Sequence, residues 1–498
     1  MNPQILSDLK LFYPEIILTS AILLVVIGDL VFSRMARRSV TFCLTAIGMA
    51  AAIIASIYLF NADKGSLFFG VLSMDPLSIF FKVFLILTSF FVLFAAEGSK
   101  ELANRNMGEF YALLLSVTLA MLLLSSSADM LMLYLSLEMV SIGSYILVGY
   151  LKNDRQSNEA SLKYLLFGAV SSGVMLYGMT IIYGLTGTTK LELIREAFIH
   201  GTASGNNSLT LLIATVLILA GLGFKIAAVP FHFWCPDVYS GAPTPVTAFL
   251  SIAPKAAGFA VLIRFFYTGY VNAAPWVGRM ADDQTVYWNA LLILISVITM
   301  TLGNIAALRQ DNMKRLLAYS SIAHAGYILM GVVVWTSEGL QSVLVYLVTY
   351  LFMNLGAFLV VIAVYNHTGS FDIQDYNGLI RRSPLLTISM SFFLLSLMGI
   401  PPFAGFLGKL YVFGAAVNNN LAWYAVIGAL NSVVSVYYYA RVIKAMIIEE
   451  SEDTGRINTP VMSKIMLWIM VLPTIGLMIF WTNIEEVTRN AAILFIGK

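Results

Sequence analysis

Apolar residues run along this chain in blocks of about twenty, divided by short polar stretches, and a helix of roughly 20 mainly apolar residues crosses a bilayer core. The pattern predicts helical spans near 12–32, 40–60, 76–96, 109–127, 129–150, 161–186, 208–239, 245–267, 287–308, 313–335, 340–366, 385–416, 421–446 and 461–482. The fourth and fifth are parted by little more than SSSAD (125–129), and the polar segments, such as 187–207 and 447–460, are too short for a soluble domain. The expected fold class is an all-α polytopic membrane protein with about 14 transmembrane helices.

Part of the pattern repeats. The sixth and eleventh spans align without gaps at one offset: Tyr164 with Tyr346, Leu165 with Leu347, Tyr183 with Tyr365, and Thr186-Gly187 with Thr368-Gly369. At the same offset YILVG (145–149) meets YILMG (327–331). Five spans separate the copies. Five is odd, so the two lie in opposite orientations, as two inverted five-helix repeats. Transporters built from such repeats place broken helices at the midplane. The seventh and twelfth spans, also five apart, are too long for one straight crossing, and each holds a breaker: Pro230 in one, Pro401 and Pro402 within MGIPPFAGFLGK (398–409) in the other. The expected organisation is three helices (1–107), a first repeat (108–270), a second repeat (285–450) and a last helix (451–498).

Composition agrees. Hydrophobic residues make up 59% and charged residues 11%, against about 25% charged in soluble domains. The net charge of +2 points to no nucleic-acid partner, and Cys43 and Cys235 have no disulfide or metal-site spacing. The opening MNPQILSDLK lacks a cleavage-site pattern, so the first span reads as retained. Of the 29 Lys and Arg residues, 17 fall in loops after odd-numbered spans and 8 on the opposite side, which places the odd loops in the cytoplasm and both termini outside. Arg264, Arg279 and Lys498 count to the outer side. Four lysines belong to neither side: Lys82, Lys225, Lys255 and Lys409. Lys82, near a helix start, is expected to snorkel to the interface.

The others carry the candidate chemistry. Glu138, Lys225 and Lys255 lie near the middle of their spans, and Lys409 follows the second break. An ionised side chain at mid-bilayer costs about 2.5–3.5 kcal/mol on insertion scales. A static salt bridge accounts for Glu138 with Lys225, but one glutamate cannot neutralise three lysines. Burial disfavours the charged form of an amine, and a nearby carboxylate restores it. A Glu–Lys pair that opens and closes is therefore a switch on proton affinity, and a row of lysines joined by hydroxyls is a relay. Ser141, Ser144, Tyr145, Thr247, Ser251, Ser320, Ser321 and His324 are available to line it. His324 reads equally as relay member or core histidine, and His232 as structural. Pro230 opens the helix so that water and a partner reach Lys225.

The run FKIAAVPFHFWCPDVYSGAPTPVTAFLSIAPKAAGF (224–259) resembles the proton-translocating, antiporter-like subunits of respiratory complex I, relatives of multisubunit sodium/proton antiporter subunits. LYLSLEMVSIGSYILVGY (133–150), NEASLKYLLFGA (158–169) and GIPPFAGFLGKLYVF (399–413) are similar to the branch called subunit N, or mitochondrial subunit 2. The resemblance covers nearly the whole chain. It implies that Glu138 and Lys225 form the switch pair, that Lys255 is the central lysine, and that Lys409 leads outward; the sister subunit M usually has glutamate there. It also implies a bacterial cytoplasmic membrane and small subunit K and subunit M as neighbours. No cofactor is expected in this chain: NADH, FMN, iron–sulfur clusters and quinone belong to partner subunits. The alternatives are a cation/proton antiporter subunit, a purely structural membrane subunit, and the equivalent subunit of a ferredoxin- or deazaflavin-linked complex.

Overall fold

In the computed structural model the described residues are 3–62, 64–103, 105–199, 208–270, 288–451 and 455–496. Residue 285, Arg279 and Lys498 lie outside them. Labels follow the spans: α1 (Tyr13–Val31), α2 (Arg34–Tyr58), α3 (Pro76–Glu97), α4 (Met107–Ser126), α5 (Met130–Val148), α6 (Arg155–Thr186), α7 (Ser208–Ile226), α8 (Trp234–Gly241), α9 (Thr244–Ile263), α10 (Trp288–Ala307), α11 (Met313–Val333), α12 (Ser337–Thr368), α13 (Pro384–Met398), α14 (Ala404–Asn418), α15 (Ala422–Ile447), α16 (Val461–Gly476) and α17 (Trp481–Ile496). A two-stranded hairpin, Gly65–Leu67 with Leu72–Met74, joins α2 to α3.

Among the described residues twelve helices are singly long and apolar enough to cross a membrane. The bent pair α16–α17 raises this to thirteen, and the half-helices α13 and α14 together supply the twelfth predicted span. Side-chain caps set many starts. Asp75 and Ser78 form a reciprocal capping box on α3, and Asp129, Asp154, Asn312 and Thr336 accept from the first free amides of α5, α6, α11 and α12. Each satisfies donors that a helix start leaves unpaired.

The repeat extends to individual hydrogen bonds. α6 and α12 end in left-handed glycines, Gly187 at φ 71° and Gly369 at φ 73°, whose amides donate to Tyr183 O (2.7 Å) and Tyr365 O (2.8 Å). The following loops fold back alike. Met130 N donates to Thr189 O and Met313 N to Phe371 O, both at 2.8 Å.

Both breaks use one device. α7 ends at Ile226, Ala227 turns left-handed at φ 57°, and Ala228 N donates back to Gly223 O at 2.8 Å. α13 ends at Met398, Gly399 turns left-handed at φ 81°, and Ile400 N donates back to Leu395 O at 3.2 Å. The chain then passes Pro230 or Pro402 and resumes as α8 or α14, so neither helix continues through its break.

Burial decides which helices matter for the site. Every residue of α9 is buried, and α11 and α12 are nearly so. They form the core around which the rest pack. α1, α2, α6 and α15 instead turn apolar side chains outward, among them Leu30, Ile54, Val170 and Val433, a surface suited to lipid tails.

Within the fourteenth predicted span, 461–482, the chain bends rather than running straight on. α16 and α17 meet at 84°, after Pro473 has removed one helical donor. α17 then lies against α3 and α12. Its Trp481 indole donates to Tyr411 OH at 2.6 Å, and the Gln341 side-chain amide donates to Glu485 O at 3.4 Å.

Candidate functional site

Lys225, Lys255 and Lys409 are all buried, at 1%, 4% and 3% exposure. None has a carboxylate within ion-pair distance among the described residues, so other groups must offset each ammonium. Each finds a different answer.

Lys225, one residue before α7 ends, donates to Ser141 Oγ on α5 at 3.1 Å. Glu138 lies one turn earlier on the same helix, is half-buried, and its Oε1 has no hydrogen-bond partner. The two make no ion pair, so the static salt bridge is not formed, and Ser141 takes the Lys225 amine instead. Ser144 turns its hydroxyl back to Val140 O. Tyr145 packs edge-on to Tyr164 at 4.8 Å. Tyr164 in turn stacks on Trp234 of α8 at 4.4 Å, so the aromatic cluster ties both sides of the first break to α5 and α6.

Lys255, midway along α9, donates to Ser321 Oγ (2.6 Å) and Ser321 O (3.1 Å) on α11, and its ammonium lies 5.7 Å from the centre of the Tyr239 ring. Thr247 and Ser251 sit two turns and one turn before it. The Thr247 hydroxyl donates to Tyr239 O at 3.0 Å, and Ser251 Oγ accepts from the Asn354 side-chain amide at 2.7 Å.

Lys409 is held by the second break itself. It donates to Met398 O (2.7 Å), Leu397 O (3.2 Å) and Ser432 Oγ (2.7 Å), and lies 5.0 Å from the centre of the Tyr327 ring. The carbonyls at a helix C-terminus lack intrahelical donors and carry partial negative charge. The end of α13 thus takes the place of a counter-ion.

His324 stands between the last two lysines and feels both charges. Its Nδ1 is 2.7 Å from Tyr346 OH and its Nε2 3.3 Å from Tyr439 OH, which also bonds Ser320 Oγ at 2.5 Å. α11 therefore supplies Ser321 at Lys255 and, one turn apart, Ser320 and His324 at Tyr439. Of the sequence-predicted residues, Lys255, Lys409, His324, Ser251 and Ser320 gather around α11. Glu138, Lys225, Ser141, Ser144 and Tyr145 form a second group at the first break. His232 is buried within that break, with its Nδ1 unpartnered.

Two buried ion pairs escaped the sequence. Lys82 does not reach the interface: it is 1% exposed and pairs with Glu15 of α1 at 2.7 Å. α3 is enclosed by its neighbours, so its amine has no path to the headgroups. Arg264, just past α9, makes a two-pronged bond to Asp75 at 2.8 and 2.9 Å. It also donates to Ser125 O and lies 5.6 Å from the centre of the Phe495 ring of α17. Each pair joins residues far apart in the chain, which span-by-span reading does not bring together.

Residues 127–435 match the family model described as NADH:quinone oxidoreductase/Mrp antiporter, TM. NADH-quinone oxidoreductase subunit N of Anaeromyxobacter sp. (strain Fw109-5) is 44% identical over 98% of this chain and 97% of that relative. Subunit N 2 of Chloroherpeton thalassium is 45% identical over 98% and 94%. Among solved structures, a chain of respiratory complex I from Thermus thermophilus with bound Aureothin is 31% identical, with TM-score 0.78 over 95% of this chain and 98% of that one. A chain of the Mrp complex from Dietzia sp. DQ12-45-1b shares the fold, with TM-score 0.83 over 100% and 98% at 20% identity.

Proposed function

The chain belongs to the NADH:quinone oxidoreductase/Mrp antiporter membrane-subunit family, and from that premise we propose that its buried charges are the stations of a proton pathway. It is a membrane-arm subunit of the N type in NADH:quinone oxidoreductase, with redox chemistry in other subunits. NADH, FMN, iron–sulfur clusters and quinone are assigned to those partners; small subunit K and subunit M are its assigned neighbours. The membrane is assigned as the bacterial cytoplasmic one, with both termini outside.

The single observation that carries the pathway is three buried lysine side chains, each held by hydroxyls or carbonyls rather than carboxylates. A fixed structural cation is best served by a carboxylate partner, as Lys82 and Arg264 have. A proton carrier is better served by neutral acceptors, because it must lose its charge without leaving a bare carboxylate in a dry site. In the proposed cycle the energy of quinone reduction arrives as a change in the distance between Glu138 and Lys225. Approach of Glu138 holds the proton on Lys225. Its withdrawal releases that proton and alters the proton affinity of Lys255. Lys255 hands a proton by way of Ser320, Tyr439 and His324 to Lys409, and Lys409 releases it outside.

Glu138→Ala tests the switch. In inverted membrane vesicles it is expected to lower NADH-driven acidification and NADH:quinone turnover together, several-fold, with assembly on native gels unchanged. Normal pumping per NADH in an assembled complex sinks the switch role. Gly399→Ala tests the last station. A Cβ there would lie 2.6 Å from Lys409 Cδ, and an L-residue at a left-handed φ costs about 1–2 kcal/mol. The variant is expected to displace Lys409 and lower pumping. Gly414→Ala, whose Cβ meets nothing within 4 Å, is expected to pump normally in the same assay.

A further inference from the structure

A fourth buried lysine without a carboxylate partner among the described residues lies at the end of the bundle where the odd loops gather. Lys314, in the first turn of α11, is 1% exposed. Its amine donates to Ala242 O at 2.6 Å and lies 4.4 Å from the centre of the Phe371 ring. The carboxylates whose charge it feels are Glu101 and Asp154, neither in ion-pair contact with it. Ala242 closes α8, and two residues on Thr244 N, at the start of α9, donates to Glu101 Oε2 at 2.8 Å. Lys314 and Glu101 thus converge on the turn between the broken helix and the helix that carries Lys255.

From that turn, polar groups lead inward. Lys314 and Ser321 are seven residues apart on α11, hence on one face and about 10 Å apart along the axis. Ser321 is the partner of Lys255. Between them lie the hydroxyls of Thr244, Thr247 and Tyr239, all fully buried. Thr247 Oγ1 lies 3.5 Å from Ala242 O and 3.0 Å from Tyr239 O. Thr244 Oγ1 and Tyr239 OH have no partner among the described groups. A buried hydroxyl left unpaired costs about 1–3 kcal/mol, and water commonly supplies what the protein does not.

Resting on the proton-pathway reading above, we propose that Lys314 is the inner-side proton donor to Lys255. The Lys314 ammonium gives a proton, through water ordered by Thr244, Thr247 and Tyr239, to the neutral Lys255 amine. Lys314 is then reprotonated from the inner aqueous side beside Glu101 and Asp154. One N–H bond breaks at Lys314 and one forms at Lys255, with no other change of charge.

The test separates a proton carrier from a fixed anchor. Lys314→Arg keeps the charge and the donor to Ala242 O, but arginine does not deprotonate in proteins. In inverted vesicles the assembled Lys314→Arg complex is expected to lose at least four fifths of NADH-driven acidification and of turnover. Full activity in Lys314→Arg makes the residue an anchor and overturns the proposal. If that variant does not assemble, Tyr239→Phe, which removes only a hydroxyl, decides. A several-fold loss supports the route, and no loss overturns it. Lys255→Ala in the same membranes guards the premise: if it pumps normally, the pathway reading itself falls, whereas its loss beside an active Lys314→Arg removes this proposal alone.

Discussion

Lys255→Ala is expected to reduce NADH-driven acidification of inverted vesicles to about a tenth or less, with NADH:quinone turnover falling alongside; tenfold corresponds to about 1.4 kcal/mol in the limiting barrier. The residue sits at the middle of the only helix buried on every side among those described, and it is the point where the inner and outer parts of the proposed pathway meet. Loss of folding would not explain such a result. Removing a buried ammonium also removes its desolvation cost, and the groups it leaves behind, Ser321 O and Oγ, are neutral. Assembly on native gels is therefore expected to match wild type. Loss of both activities in an assembled complex places Lys255 on the path. If both activities survive, Lys255 is not on a proton path and the pathway reading falls.

Arg264→Met is expected to have the opposite signature, a loss of stability rather than of coupling. It leaves the Asp75 carboxylate buried and without its guanidinium, a change that costs about 3–5 kcal/mol when one member of a buried pair is removed. The expected outcome is less chain in the assembled complex and a lower thermal midpoint, with turnover per assembled complex close to normal. Pairing it with Asp75→Asn, which keeps a side-chain oxygen for the α3 cap, removes the stranded charge and is expected to recover most of the loss. A double variant no better than the single one counts against the stranded-charge account. The pair also has a pH signature. Asp75 lies one residue before α3; burial pushes its carboxyl up, but the charge and hydrogen bonds of Arg264 outweigh this and hold it below its ordinary value of 3.8. Its contribution is thus complete above about pH 4 and is lost as pH falls further, through the depressed folded-state value.

The two residues show what the sequence could and could not say. Lys255 was legible because a lysine in the centre of an apolar run has no cheap place to be, and the cost alone marks it. Pro230 and Pro401-Pro402 were legible for a similar reason, since each interrupts a run too long for one crossing. The repeat was legible from a handful of identities at one offset, and the matching caps at Gly187 and Gly369 show that those identities mark shared backbone geometry. Arg264, by contrast, sits at the end of a span, where an arginine ordinarily meets water. Only packing reveals that α4, α17 and Asp75 enclose it. Lys82, assigned to the interface, was misplaced by the same argument. Position along a span gives depth in the bilayer but not distance from the bundle axis. Glu138 marks a finer limit: α5 was placed well enough to bring it towards Lys225, but which rotamer wins, and whether Ser141 comes between, depends on side-chain geometry.

α11 carries Ser321 at Lys255 and His324 beside Tyr346 and Tyr439, three positions apart on one continuous helix. Each residue added to a helix rotates the downstream turns by about 100° and advances them by about 1.5 Å. An insertion between positions 321 and 324 would leave the first contact in place and swing the histidine away from both tyrosines. Substitutions along this segment can be absorbed one side chain at a time, but a change of length cannot. Over evolutionary time α11 is therefore freer to drift in composition than in residue count, and insertions belong in the loops beyond its ends.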